Sequence, residues 1–268
     1  MGIVNVTPDS FSDGGDYFDP ASAVAHGVQL AAEGATILDI GGESTRPGAD
    51  PVVAEEESRR VVPVIQALVA AGVQAQISVD TSKAEVTEQA LAAGATLVND
   101  VTALRAAPEM AELTAAAGAE LCLMHMVGTP RTMQDDPRYA DVVSEVKSFL
   151  EKRMAFAVAH GVPEEKILLD PGIGFGKTVA HNLELILRLP ELVALGRPIL
   201  IGTSRKSFIG QLTGREPADR LAGTIAANVQ AFERGATVFR VHDVGPLVDA
   251  LTVAAATLAV DTRARGES

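Results

Sequence analysis

Cysteine occurs once in this sequence, at Cys122. No disulfide can form within the chain, which suits a reducing compartment. Cationic side chains are scarce as well: 22 Lys and Arg stand against 35 Asp and Glu, a formal net charge of −13 with a pI of about 4.8. A field of that sign repels nucleic acid and anionic membrane, and excludes a broad electrostatic interface with either. An anionic small substrate would need a local cluster of Arg, Lys and helix N-termini. Long apolar runs are also missing. The N-terminus has no basic stretch leading into an apolar one, so no signal peptide is expected. The most apolar late stretch, residues 247–260, is interrupted by Asp249 and is too short to span a bilayer. It reads as a buried helix, and a cytoplasmic protein is expected. No His/Cys spacing resembles a zinc site.

What is present is a repeat. A helical pattern ends in Gly-Ala and a short apolar run follows, at Gly34-Ala35, Gly94-Ala95, Gly118-Ala119 and Gly235-Ala236. Glycine just past a helix end supplies a left-handed cap, and alternation of helix with buried strand argues for a parallel sheet. Eight strands are predicted, beginning near Ile3, Thr36, Ala75, Thr96, Glu120, Lys166, Pro198 and Thr237. Helical patterns cover residues 54–71, 83–93, 142–160 and 219–234, and a last helix begins near Pro246. At 268 residues the chain suits one (βα)8 TIM barrel, which typically takes about 250 residues. An open doubly wound sheet is the alternative; the count of eight favours closure. The barrel is expected over residues 1–262 as a single domain, with 263–268 as a loose tail.

Polar residues stand at the end of nearly every predicted strand: Asn5, Glu43, Asp80, Asn99, His125, Asp170, Ser204 with Lys206, and Arg240 with His242. A single Asp after a strand is most often a helix cap. Recurrence at the same end of many strands is different, because in a barrel those ends converge on the mouth where active sites lie. Asp170 precedes Pro171-Gly172, and a carboxylate fixed there can accept two parallel hydrogen bonds from an N–H/NH2 edge. Asn99 both donates and accepts, which suits a heterocycle. The run Gly172-Ile173-Gly174-Phe175-Gly176-Lys177-Thr178 invites a phosphate-loop reading, which fails because Pro171 stands where the first glycine is required. It reads instead as a glycine-flexed loop presenting Phe175 to a flat ligand. Gly202-Thr203-Ser204-Arg205-Lys206-Ser207 opens a helix, where backbone N–H groups with Arg205 and Lys206 could hold an anion. Arg240 and His242 alternate along the eighth strand and point to one side. His26 and His160 read as surface residues, His181 as a cap or partner at a helix start, and Cys122 as core. His125 reads either as a packed residue or as support behind a site. The glycine-, serine- and proline-rich segments 5–15 and 41–48 read as exposed, mobile loops placed to act as lids.

Residues 5–15, 41–48, 78–83, 99–101, 123–134, 168–177, 202–211 and 240–244 together resemble the dihydropteroate synthases, in family order and over almost the entire chain. The resemblance implies a TIM barrel, usually a homodimer, that joins 6-hydroxymethyl-7,8-dihydropterin pyrophosphate to p-aminobenzoate and releases pyrophosphate. By motif position Asp80, Asn99, Asp170, Gly202, Lys206 and Arg240 look like pterin-binding residues, with Met124 and Phe175 against the ring. Asn5 looks like the ligand of a Mg2+ ion. Asn5, Thr45, Arg240 and His242 look like the pyrophosphate-binding set. Phe11, Thr45, Arg46, Pro47 and Ser204 look like the p-aminobenzoate and sulfonamide pocket. Asn5, Arg46, Asp80, Lys206, Arg240 and His242 would carry the catalysis.

Val127 and Ile173 depart from residues common in the family, and neither removes a motif acid or base. Two competing readings are another pterin-barrel enzyme, such as a methyltetrahydrofolate methyltransferase, and a silent paralogue that only binds pterin. The first has no need of the Thr-Pro-Asp-Ser-Phe and Ser-Arg-Lys segments present here, and the second predicts loss of Asn5, Arg46 or Lys206, all of which are retained.

Overall fold

The computed structural model describes residues 1–7, 20–44, 50–129 and 131–264, without the side chains of 261–264. Eight strands form: β1 (Gly2–Asn5), β2 (Ile37–Gly41), β3 (Gln76–Asp80), β4 (Leu97–Asp100), β5 (Glu120–Met124), β6 (Ile167–Asp170), β7 (Leu200–Ile201) and β8 (Val238–Phe239). Each begins within about two residues of its predicted start. The first six pair in sequence order, all parallel, and β7 pairs with β8. Two bridges close the circle, Leu169 to Ile199 between β6 and β7 and Gly2 to Val241 between β8 and β1. At the second seam Ile3 N donates to Val241 O at 3.0 Å and Val241 N donates to Met1 O at 2.9 Å. The sheet is therefore a closed eight-stranded barrel and not an open doubly wound sheet.

The helices are α1 (Pro20–Ala32), α2 (Ala54–Ala70), α3 (Ala84–Ala93), α4 (Met110–Ala116), α5 (Val142–Ala159), α6 (Val179–Leu187), α7 (Pro190–Val193), α8 (Ser207–Thr213), α9 (Leu221–Phe232) and α10 (Val244–Ala264). In α2 the apolar stripe Val61, Val64, Ile65 and Leu68 repeats at helical spacing and is fully buried. Each such side chain contributes about 1.5–3 kcal/mol relative to leaving it in water. The Gly-Ala repeat does what its sequence suggests. Gly94 caps α3 at φ 114°, and Gly34, Gly118 and Gly235 take the same left-handed conformation.

Strand residues of one parity (Val4, Leu38, Ile40, Val79, Val98, Leu123, Leu169, Ile201) pack outward against the helices. The other parity lines the barrel. Its lower part is plugged by Met1, Leu97, Cys122, Leu168 and Leu200, and Cys122 is core as expected. Two expectations need correction. The apolar stretch 247–260 is helical but not buried: Leu247 packs on the barrel, whereas Val253, Leu258 and Val260 are exposed. A helix of 21 residues is about 31 Å long, and only its first turns lie against the barrel wall. The same helix runs to Ala264, two residues into the stretch read as a tail. Among the described residues no helix is long and apolar enough to cross a membrane.

Candidate active site

Toward the C-terminal ends of the strands the inner face of the barrel carries a connected set of polar side chains. The register places Asp39 beside Ser78, and Gly41 beside Asp80 and Asn99. Asp39 is fully buried. It accepts hydrogen bonds from Ser78 Oγ at 2.6 Å, Asn99 Nδ2 at 3.0 Å and Arg240 Nε at 2.6 Å. Arg240 Nη2 donates to Asp80 at 2.8 Å. One guanidinium thus bridges two carboxylates, and neither bond uses its Nη1. Burial alone would depress Arg240, but Asp39 and Asp80 hold it above its usual value. Burial pushes the Asp80 carboxyl up, with Arg240 pulling the other way and Asp39 adding to the rise. Because Asn99 spends its NH2 on Asp39, its carbonyl oxygen is left to accept from a ligand.

Asp39 is the residue that strand-end reasoning missed. It sits mid-strand in Ile37-Leu38-Asp39-Ile40, which looks apolar until the two-residue period is applied and Asp39 falls on the inner face. Gly41 follows on that face. A β-carbon there would lie 3.5 Å from Asp80 Cβ, so its absence leaves the space above Asp80 open.

Across the barrel, Asp170 ends β6 and its Oδ1 accepts from Gly172 N at 2.6 Å. Burial raises its carboxyl, opposed by Lys206, the Gly172 N–H, Lys177 and Arg240. Gly172 must be glycine: its φ is +67°, and a β-carbon would stand 1.9 Å from His125 O. Gly174 and Gly176 are also left-handed. The loop they form lays Phe175 against Val101, Met124, Met126 and Met133, and Met124 pairs in register with Asp170. Lys206 Nζ lies 4.5 Å from the Phe175 ring centroid and donates to Ile173 O. Burial lowers its ammonium to about 8, partly offset by Asp170. Gly202 leaves room beside Lys206 and Arg240.

At the end of β8, His242 N donates to Ser204 Oγ at 3.2 Å, and Ser204 Oγ lies 2.9 Å from His242 Nδ1. Asn5 ends β1 opposite Gly41 and is half-buried. Asn5, Asp80, Asn99, Met124, Asp170, Phe175, Gly202, Ser204, Lys206, Arg240 and His242 therefore all gather at one mouth. Phe11, Thr45, Arg46 and Pro47 lie outside the described residues.

One sequence reading is revised. Arg205 does not present its guanidinium to an anion: it pairs with Asp243 at 2.6 and 3.1 Å, and its N–H donates to Thr224 Oγ1 at 3.0 Å. Glu43 is tied to Lys83, which also binds the fully buried Glu57, and it lines the cavity beside Asp80. His125 has the outward parity and packs edge-on against Phe149 at 4.8 Å. Its imidazole is held neutral, lowered to about 3 by burial and then by Lys177 and Arg105. His181 completes a capping box with Thr178 at the start of α6.

A cavity of about 310 Å³ opens beside Asp80, between Glu57, Thr81, Thr102, Thr129 and Arg131. A depression of about 530 Å³ at the opposite end of the barrel, around Val28, Ala35, Val73 and Ala75, has no titratable side chain. Chemistry belongs to the polar mouth.

Comparison with known proteins agrees with this fold. The chain is 48% identical over 267 residues to the dihydropteroate synthase of Escherichia coli (strain K12), covering 100% of this chain and 94% of that one. The solved dihydropteroate synthase of Xanthomonas albilineans with 4-aminobenzoic acid superposes with a TM-score of 0.91 at 54% identity, over 97% of this chain and 92% of that one. The same bacterium's enzyme in complex with 7,8-dihydropteroate gives 0.88 at 51%, over 97% and 93%. Residues 1–242 match the family described as pterin binding enzyme, and with the acids, amide and lysine of such a site converging at the mouth of a closed barrel, the chain belongs to that family.

Proposed function

We propose that this protein is a dihydropteroate synthase, condensing 6-hydroxymethyl-7,8-dihydropterin pyrophosphate with p-aminobenzoate. The observation that carries the reading is the 54% identity and 0.91 TM-score to an enzyme solved with 4-aminobenzoic acid. Asp170 and the Asn99 carbonyl offer acceptors to the N–H/NH2 edge of a pterin, and Lys206 offers a donor to its carbonyl and ring nitrogen face. Phe175 and Met124 supply the apolar wall for the ring. Asn5, Thr45, Arg240 and His242 are assigned to the leaving pyrophosphate, and Phe11, Thr45, Arg46, Pro47 and Ser204 to the amine.

An aromatic amine is a weak nucleophile, and a methylene on an electron-rich dihydropterin can share positive charge with the ring. Departure of pyrophosphate before attack, an SN1-like order, follows from both facts. The carboxylates of Asp80 and Asp170 then stabilise the developing cation, and Arg240 the departing charge. Asn5 offers one hard amide oxygen at the mouth. That donor set fits Mg2+, which keeps waters and takes substrate phosphates, and when bound it would neutralise pyrophosphate charge. Mg2+ is therefore expected to bind poorly to the empty protein. A cytoplasmic homodimer is part of the proposal, supported by the exposed apolar side chains of α10.

The test is a condensation assay with and without p-aminobenzoate. Pyrophosphate release that depends on the amine, with dihydropteroate as product, supports the reading. Pterin binding without condensation would leave a silent binder, and methyl transfer would point to the other pterin-barrel enzymes. Bridging-oxygen label that scrambles within substrate in the absence of amine supports the dissociative order.

A further inference from the structure

Lys177 has no place in the pterin set, yet it is 3% exposed and lies directly behind that set. Its Nζ donates to Phe175 O at 2.9 Å, to His125 Nδ1 at 3.0 Å and to His125 O at 3.4 Å. Every one of these acceptors is neutral. Burying an ammonium without a salt bridge costs several kcal/mol, whereas an apolar chain of the same length would fill the space without that cost. Such a chain would, however, leave those three acceptors without a donor, so the reason for a lysine lies in what it holds.

Phe175 O belongs to the loop that faces Phe175 into the mouth, and His125 follows Met124 at the end of β5. Lys177 ties the two together around Gly172, whose β-carbon position is 3.4 Å from Nζ. Lys206 grips the same loop from the ligand side through Ile173 O. Lys177, buried behind the loop, holds it from the side away from the mouth. We propose that Lys177 is a positioning residue for the pterin site: it fixes the 172–176 loop behind the ring and holds positive charge beside the Asp170 carboxylate.

The charged and titratable groups facing Asp170 are Lys206, Lys177, Arg240 and Cys122; those facing Lys177 are Asp170, Lys206 and His125. Burial lowers the Lys177 ammonium to about 7. It is thus cationic below neutrality, where its charge opposes the rise that burial imposes on the Asp170 carboxyl.

The inference rests on the pterin reading of the site, and its test separates the two. Binding of 6-hydroxymethylpterin is measured by calorimetry from pH 5 to 8 for the wild type, K177M and K177R, with thermal melts as a check of folding. The expected result is an acid limb for K177M displaced upward, so that affinity on the acid side falls about tenfold while the neutral plateau is kept. K177R keeps the wild-type limb. Should K177M not fold, K177Q, which keeps a donor for Phe175 O without the charge, carries the same comparison. An unchanged profile overturns the proposal, and so does a uniform weakening with the limb in place, which is what mere structural support would give. A wild type that binds no pterin at any pH refutes the reading of the site itself.

Discussion

Replacing Asp39 tests whether the floor of the site is built as described. The Asp39 carboxylate is fully buried and takes three hydrogen bonds, from Ser78, Asn99 and Arg240. Asp39→Ala leaves the Arg240 Nε, the Asn99 NH2 and the Ser78 hydroxyl without that acceptor. Removing one partner of a buried ion pair costs about 3–5 kcal/mol. Arg240 keeps Asp80, which holds the loss within that range. Domains are stable by only about 5–15 kcal/mol, and each kcal/mol shifts the melting midpoint of a chain this size by about 2–4 °C. A fall on the order of 10 °C follows. Asp39→Asn behaves differently. Its NH2 can face Ser78 Oγ while its oxygen still accepts from Asn99 and Arg240. It keeps the contacts and forfeits only the charge assistance, about 1–2 kcal/mol. Urea unfolding followed by circular dichroism measures both. Asp39→Ala within about 1 kcal/mol of wild type would refute the account, and so would Asp39→Asn as damaging as Asp39→Ala.

Asp170→Asn turns one acceptor into a donor opposite the pterin edge and should lose about 2–3 kcal/mol of pterin binding; calorimetry showing unchanged affinity in a folded variant makes Asp170 merely structural. Gly172→Ala combines a left-handed φ with a β-carbon 1.9 Å from His125 O. It should destabilise by about 2–5 kcal/mol, read by denaturant midpoint, and a wild-type midpoint would mean the loop is not held as described. Lys177 and Lys206 are lowered to about 7 and about 8 from 10.5, so between those values and 10.5 the unfolded chain binds more protons and their contribution to stability rises with pH. The wild type should therefore gain stability over Lys177→Met between pH 7 and 10, and parallel stability profiles would contradict it.

The sequence by itself determined the barrel and most of the mouth. Eight apolar runs alternating with helical patterns can bury their surfaces in few ways, and a parallel barrel sends the C-terminal ends of all its strands to one place. Asp80, Asn99, Asp170, Lys206, Arg240 and His242 needed only their positions at those ends to be gathered. Tertiary structure decided what each one touches. Asp39 was hidden because a two-residue period shows its meaning only once the inner face is known. Lys177 reads as the end of a glycine loop until folding carries it to His125, 52 residues earlier. Arg205 and Lys206 are neighbours of like charge in sequence. A backbone φ of 56° at Arg205 sends one to Asp243 and leaves the other facing the Phe175 ring. The apolar stretch 247–260 has the pattern of a covered helix, but the height of the barrel wall, which no local pattern encodes, leaves its second half in the open. Periodicity and spacing are local properties and survive in the sequence; partners, burial and charge balance depend on which distant segments arrive, and only the closed barrel supplies them.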